Sequence, residues 1–424
     1  MSLAAWGTGR RFRLALLLAL LAQALPARAQ MRNVGPGVAD RTSTQTRGGG
    51  DDVIFGGEVQ TTLELDVNGR RRPLRAYGDL FTESLAAAYL LLPYGFAVNG
   101  VLRLEQNGAD PDGRGRFFRD QALWADELYL TWSRGVVDLF GGKIHPRFGS
   151  AWDRGPGLFG TDFGKEYEIT EKVGVGGRLW ASDVLGLTSM IGSHNVMAEF
   201  FEADRSVLAS SGFNPRWAQT RSAVDPETGE AVTRTVFRWR NRRGAGGPDN
   251  TDFLGGTVLS MAGYGIPMPR GQAGYTVSWS ARRPGQDAVE AGRSATERGF
   301  SAGAFWTIPL PMRLTAAPFA EYTRLDQAGG YRDRNADWVT AGLDLRRTPW
   351  TLSYAFMSNG NEDRAAGLRG TRTQNTASLT YDLYFVVPYP ILRSASVTVG
   401  WRRLREAGIA ANDFGGLLGW AWKF

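Results

Sequence analysis

Cysteine is absent from this chain, and histidine nearly so: His145 and His194 are the only two in 424 residues. The first absence excludes disulfide stapling, thiol nucleophiles and thiolate metal centres. The second leaves a histidine-ligated metal site dependent on both imidazoles meeting, and neither sits in a recognised ligand spacing. Long apolar runs are also scarce. Past the first 29 residues no stretch approaches the ~18 apolar residues needed for a membrane-crossing helix, and mean hydropathy is −0.26. Catalytic groupings fare no better. Ser193-His194-Asn195 would place neighbours on opposite faces of a strand and cannot assemble a triad by itself, so neither an enzyme nor a cofactor is expected.

The N-terminus has the makeup of an export signal. Arg10, Arg11 and Arg13 precede an apolar stretch at 14–25 and the small-residue site Ala27-Arg28-Ala29, which together read as a signal peptide over 1–29 cleaved before Gln30. Four arginines, Arg10, Arg11, Arg13 and Arg28, would leave with it, lowering the formal charge from +7 to +3. That removes the main support for nucleic-acid binding. Residues 30–52 are polar, include Gly48-Gly49-Gly50 and show no periodicity, so a flexible periplasmic lead-in is expected there.

From residue 53 to the end the sequence repeats every two residues. Val59, Thr61, Leu63, Leu65 and Val67 alternate with Gln60, Thr62, Glu64 and Asp66; Tyr275, Val277 and Trp279 alternate with Thr276, Ser278 and Ser280; Trp350, Leu352, Tyr354 and Phe356 follow the same rule. This is the signature of strands with one apolar face. The other face contains charges, which a packed core tolerates poorly but a water-filled interior accepts. Any one such strand could be the edge of a soluble sandwich. Many in series fit a closed barrel, in which every backbone polar group is paired inside hydrocarbon.

The chain ends Leu417-Leu418-Gly419-Trp420-Ala421-Trp422-Lys423-Phe424. Leu418, Trp420, Trp422 and Phe424 would face lipid, and Leu417, Gly419, Ala421 and Lys423 the lumen. Connections alternate between short turns, as at 133–135 and 182–186, and long polar stretches, as at 145–168, 203–252, 359–372 and 406–414. The count is about sixteen antiparallel up-and-down strands (range 12–18), an even number that puts both ends in the periplasm. Two segments are ambiguous: 79–92 could be an amphipathic helix, because Glu83 interrupts its apolar positions, and 314–325 has mixed phase around Pro318. Tyr89, Tyr94, Tyr129, Trp132, Trp306, Trp338, Trp350, Tyr384, Tyr389, Trp401, Trp420 and Trp422 fall near strand ends, where interfacial girdles place amphipathic rings.

The stretches Phe117-Phe118-Arg119-Asp120-Gln121, Glu127-Leu128-Tyr129-Leu130, Leu139-Phe140-Gly141-Gly142-Lys143-Ile144-His145-Pro146-Arg147-Phe148-Gly149 and Gly160-Thr161-Asp162-Phe163 resemble the Gram-negative porin superfamily, and within it porins of the siderophore-porin-like type. The resemblance implies an outer-membrane channel for passive diffusion of small hydrophilic solutes or ions. A substrate-specific channel, for example for chelated iron, and a non-conducting barrel that anchors adhesive loops are the alternatives. It also implies partners: outer-membrane lipids and lipopolysaccharide, the barrel-assembly machinery that would read Trp420, Trp422 and Phe424, and two further copies in a homotrimer.

In general porins the third exterior loop folds inward to narrow the channel, and 145–168 is the third long loop here. Its Arg147, Asp153, Arg154, Asp162 and Glu166 are the constriction candidates. On this view Asp153, Asp162 and Glu166 oppose the wall bases Lys143, Arg178, Arg282 and Arg402 and set up a transverse field. A solvated surface loop is the competing expectation. On the assigned lumen faces Arg103, Lys143, Arg178, Arg282, Arg346, Arg402 and Lys423 outnumber Glu64, Asp66, Glu105, Asp344 and Asp382, which gives a weak anion preference. The arginines of loop 203–252, among them Arg205, Arg221, Arg234 and Arg243, could pair with lipopolysaccharide phosphates or attract anions to the mouth.

Overall fold

The computed structural model describes residues 53–69, 76–106, 115–119, 121–209, 248, 254–386, 394–406 and 409–424, apart from the side chain of residue 287, and the backbone of 217–224 and 231–238. The signal peptide expected at 1–29, the lead-in at 30–52, Tyr389 and nearly all the arginine-rich part of 203–252 lie outside the described residues.

Sixteen strands form one closed antiparallel sheet: β1 (Ile54–Asn68), β2 (Tyr77–Leu91), β3 (Phe96–Gln106), β4 (Gln121–Arg134), β5 (Val137–Ile144), β6 (Lys172–Trp180), β7 (Ser193–Ala203), β8 (Gly256–Pro267), β9 (Gln272–Arg282), β10 (Glu297–Leu310), β11 (Leu314–Asp326), β12 (Arg334–Arg347), β13 (Trp350–Asp363), β14 (Leu368–Asp382), β15 (Ser396–Glu406) and β16 (Ile409–Lys423). Each pairs with its sequence neighbour, and β1 closes the ring against β16 in a register that sets Val59 opposite Trp422 and Leu63 opposite Leu418. The last residue takes part: Phe424 and Gly57 exchange two backbone hydrogen bonds of 3.0 Å. The ring therefore has no free strand edge, the condition for crossing hydrocarbon with strands. Among the described residues no helix is long and apolar enough to cross. A two-residue strand, Arg116–Phe117, lies parallel beside β2, and Trp217–Val224 pairs with Ala231–Arg238 as a separate hairpin.

Alternation decides which side chain goes where. On β1, Glu58, Gln60, Thr62 and Glu64 are buried while Leu65 and Val67 are exposed, and on β13 Ser353 and Ala355 are buried between exposed Leu352, Tyr354 and Phe356. The apolar belt faces outward and the polar positions inward. Segment 79–92 is strand, not helix. Its odd positions turn inward, because Glu83 sits opposite Thr62 and meets Arg103 at 3.3 Å. The residue that interrupts the apolar pattern is thus half of a lumen ion pair.

Four expectations need correction. Residues 359–372 do not form a long loop: β13 and β14 stay paired up to Asp363 and Leu368, with Asn359 opposite Arg372 and Asn361 opposite Gly370. Likewise 406–414 is mostly strand, since Glu406 pairs with Ile409 and β16 runs on from there. Polarity on both faces misled the reading, although a strand that rises beyond the apolar belt has no reason to keep one face greasy. Third, Tyr89, Tyr129 and Trp338 do not join an outer girdle. Their registers set them opposite Gly56, Asn99 and Thr323, all inward positions, and Tyr129 and Trp338 are buried. The expected short turn at 182–186 is longer, holding two single-turn helices, Ala181–Val184 and Thr188–Ile191.

Candidate functional site

The connection between β5 and β6 does not stay outside. Segment 145–168 enters the barrel and touches inward-facing side chains from β7 round to β16. Its apolar residues Phe148, Ala151, Phe163 and Tyr167 pack with Phe201, Val258, Phe319, Leu325, Trp338 and Met357 into a core inside the barrel. Burying a ring such as Phe148, which is fully covered, contributes about 1.5–3 kcal/mol. That offsets part of the entropy lost in ordering the segment.

A single carboxylate holds the entry of the segment. Glu321 on β11 accepts the Ser150 amide (2.7 Å), the Ser150 hydroxyl (2.6 Å), the Ala151 amide (2.9 Å) and the Tyr167 hydroxyl (2.6 Å). The two amides start the single-turn helix α1 (Ala151–Arg154). Further along, the Leu158 amide donates to Ser378 Oγ at 3.2 Å. Gly157, at φ +77°, passes so close that a Cβ would lie 2.4 Å from that oxygen. The wall is thinned to match. A Cβ on Gly400 would lie 3.0 Å from Leu158.

The segment leaves open space on both sides. The larger is a cleft of about 1050 Å³ between the segment and β1–β4, bordered by Glu64, Glu83, Arg103, Asp126 and Glu127 of the wall and by His145, Arg147, Trp152, Asp153, Thr161, Lys165 and Glu168 of the segment. The smaller, about 550 Å³, lies against β6–β9 and includes Arg147, Asp153, Arg154 and Arg178. Within the cleft Arg103 bridges Asp126 (2.8 Å) and Glu83 (3.3 Å). His145 stands 3.4 Å from Asp126 and 3.9 Å from Glu127. Burial alone would push its imidazole down, but Asp126, Glu127 and Glu168 outweigh that and raise it to about 9; the ring is therefore cationic at neutral pH.

Of the constriction candidates, Asp162 meets Arg402 at 2.9 Å and Gln374 Nε2 at 2.9 Å. Glu166 meets Arg372 of β14 and accepts from Trp338 Nε1 at 3.1 Å. Arg147 gives its amide to Glu199 at 2.7 Å, and the Arg154 guanidinium lies 3.9 Å over the Phe305 ring. Asp153 borders both open spaces. The wall bases have close partners of their own. Lys143 pairs with Glu171 (3.2 Å) and Asp204 (3.1 Å), Arg178 is 3.9 Å from Asp138, Arg282 pairs with Glu297, and Arg402 also pairs with Asp413 at 2.7 Å. Asp138, Glu297 and Asp413 are the register partners of these arginines on adjacent strands, a few ångströms away, whereas the far wall is a barrel width off. Trp420 and Trp422 point outward, and Trp422 and Phe424 stack at 4.9 Å.

Glu321, Asp126, Glu127 and Thr161 were not among the site candidates of the sequence reading, although Glu127 and Thr161 stand in the stretches that resemble porins. For Glu321 a signal existed: it is a lone acid between Phe319 and Thr323 on a lumen face.

The closed sheet and the inserted segment define a class of protein: sixteen-stranded up-and-down barrels with an interior narrowed by one of their own connections. Among solved structures the chain is similar to OprB of Pseudomonas putida, with TM-score 0.53 and 10% identity over 95% of this chain and 100% of that one. It is also similar to the outer membrane channel DcaP of Acinetobacter baumannii (TM-score 0.48, 11% identity, 88% of this chain and 97% of that one) and to OccK9 of Pseudomonas aeruginosa (0.47, 10%, 88% and 99%). At these identities the likeness to OprB shows the fold. No family model and no curated protein matches the sequence.

Proposed function

We propose that the protein is an outer-membrane channel through which small hydrophilic solutes diffuse passively. One observation carries this: a closed wall, apolar outside, encloses an inserted segment that narrows the lumen yet leaves a cleft of about 1050 Å³ lined by ionisable groups. A barrel of this strand number is wide enough for water and small solutes, and Asp153, Asp162 and Glu166 with Arg147 and Arg154 define its narrow part. Trp420, Trp422 and Phe424 act as the assembly signal, and the outward belt meets lipid and lipopolysaccharide. Trimeric packing and a siderophore-type cargo are finer readings of the same kind.

Planar-bilayer recordings on the refolded protein test the proposal. Discrete conductance steps are expected, together with liposome swelling in sugars and amino acids. Swelling with chelated iron alone would favour the siderophore-type channel. A protein that inserts and never conducts would instead be a filled barrel holding exterior loops.

A further inference from the structure

We infer that the cleft beside β1–β4 is a recognition site for small organic cations bearing a guanidinium or primary ammonium group; this rests on the channel reading above. Six carboxylates border it, Glu64, Glu83, Asp126, Glu127, Asp153 and Glu168, against Arg103, Arg147, Lys165 and His145. Even with the imidazole charged, acid is in excess, so the local potential favours a cation. Of the bases that suggested anion preference, only Arg103 borders this cleft; Lys143, Arg178, Arg282, Arg346, Arg402 and Lys423 do not.

Two atoms point to what the cation must offer. Glu127 is 9% exposed and its Oε2 has no hydrogen-bond partner among the described residues; Thr161, across the cleft on the inserted segment, is 2% exposed and its Oγ1 has none either. Both border the cleft. A buried carboxylate oxygen without a partner is costly, and it can only accept. The hydroxyl can accept as well. The complement is a group with several N–H donors and a positive charge. Because N–H donors are what these acceptors call for, the head group is a nitrogen cation; nowhere among the described residues are three or more His, Asp or Glu gathered closely enough to hold a metal ion. Trp152 borders the same cleft and supplies an aromatic surface to such a head group. The Asp126–Arg103–Glu83 bridge keeps the nearest arginine turned to its own carboxylates, and Glu127, whose Oε1 faces His145 at 3.9 Å, offers its Oε2 to the solute.

Single-channel recording in potassium chloride, with guanidinium chloride or ethylammonium chloride added and sodium acetate as the anion control, tests this. Concentration-dependent current interruptions by the two cations, absent with acetate, are expected. Glu127→Gln should weaken the apparent affinity by about tenfold, the size of one lost charged hydrogen bond. Thr161→Val, on the inserted segment rather than the wall, should weaken it less and serves where Glu127→Gln does not insert. Conductance without cation interruptions, or interruptions unchanged in both variants, overturns the inference and leaves the channel standing. Absence of any conductance overturns both.

Discussion

The two halves of the lumen are built from the same alternating strands but present different inward residues. From β9 to β16 the inward positions where the inserted segment lies include many small or hydroxylic residues, such as Ser278, Ser301, Gly303, Ser353, Thr376, Ser378 and Gly400. From β1 to β4 the inward positions include Glu58, Glu64, Glu83, Arg103, Asp126 and Glu127, and the space beside them is open. Docking a backbone needs room and hydrogen-bond partners, which glycine and serine supply. Ionised side chains under a docked segment would lose hydration without repayment. Inward chemistry thus determines where the lumen is filled and where it stays wet. Glu321, Arg372 and Arg402 are charges in the packed half that fit the rule, because groups of the segment replace their water: four donors on Glu321, Glu166 on Arg372 and Asp162 on Arg402.

The largest expected effect comes from breaking the packed half. Glu321→Ala removes the acceptor of two amides and two hydroxyls at a cost of at least about 4 kcal/mol, counting about 1–3 kcal/mol for each group left unsatisfied. Segment 145–168 should detach, raising single-channel conductance severalfold and opening the segment to protease while the heat-modifiable barrel persists. Unchanged conductance would mean that the segment does not limit flow. Gly400→Val is milder. Its added atoms press on Leu158 and Phe159 rather than on the wall, an overpacking cost of about 1–3 kcal/mol, so conductance should rise less and become noisier.

On the open side Asp126→Asn should leave conductance nearly intact while reducing cation preference in a salt gradient. Arg103 and His145 would lose their shared carboxylate and face the solute instead. A reversal potential identical to wild type would show that these charges do not set selectivity.

How far the sequence predicts this contrast follows from what each feature depends on. Alternation is a property of a single strand, so the faces of β1, β9 and β13, the strand number and the outward direction of Trp420 and Trp422 were readable. Strand ends at 359–372 and 406–414 were not, because above the apolar belt a paired strand and a polar loop have the same composition. Neither were the partners of the wall bases. Arg282 with Glu297 and Arg402 with Asp413 are register neighbours, and register depends on turn geometry that composition does not carry. The clasp at Glu321 joins residues 170 apart, a contact that exists only once the barrel has closed and the segment has entered it.

The smallest effect sharpens the open half alone. Because His145 is raised to about 9, its ring holds a proton through neutral pH and loses it as pH rises through that value. Deprotonation removes one positive charge beside Asp126 and Glu127, so cation preference should strengthen between about pH 8 and pH 10. His145→Gln, neutral throughout, should give the stronger preference already at pH 7 and a flatter profile above it. Reversal potentials across that range discriminate: a wild-type profile parallel to that of His145→Gln would show that the charge on the imidazole does not reach the permeating ion. The charged half of the lumen would then owe its selectivity to the carboxylates farther along the wall, Glu64 and Glu83.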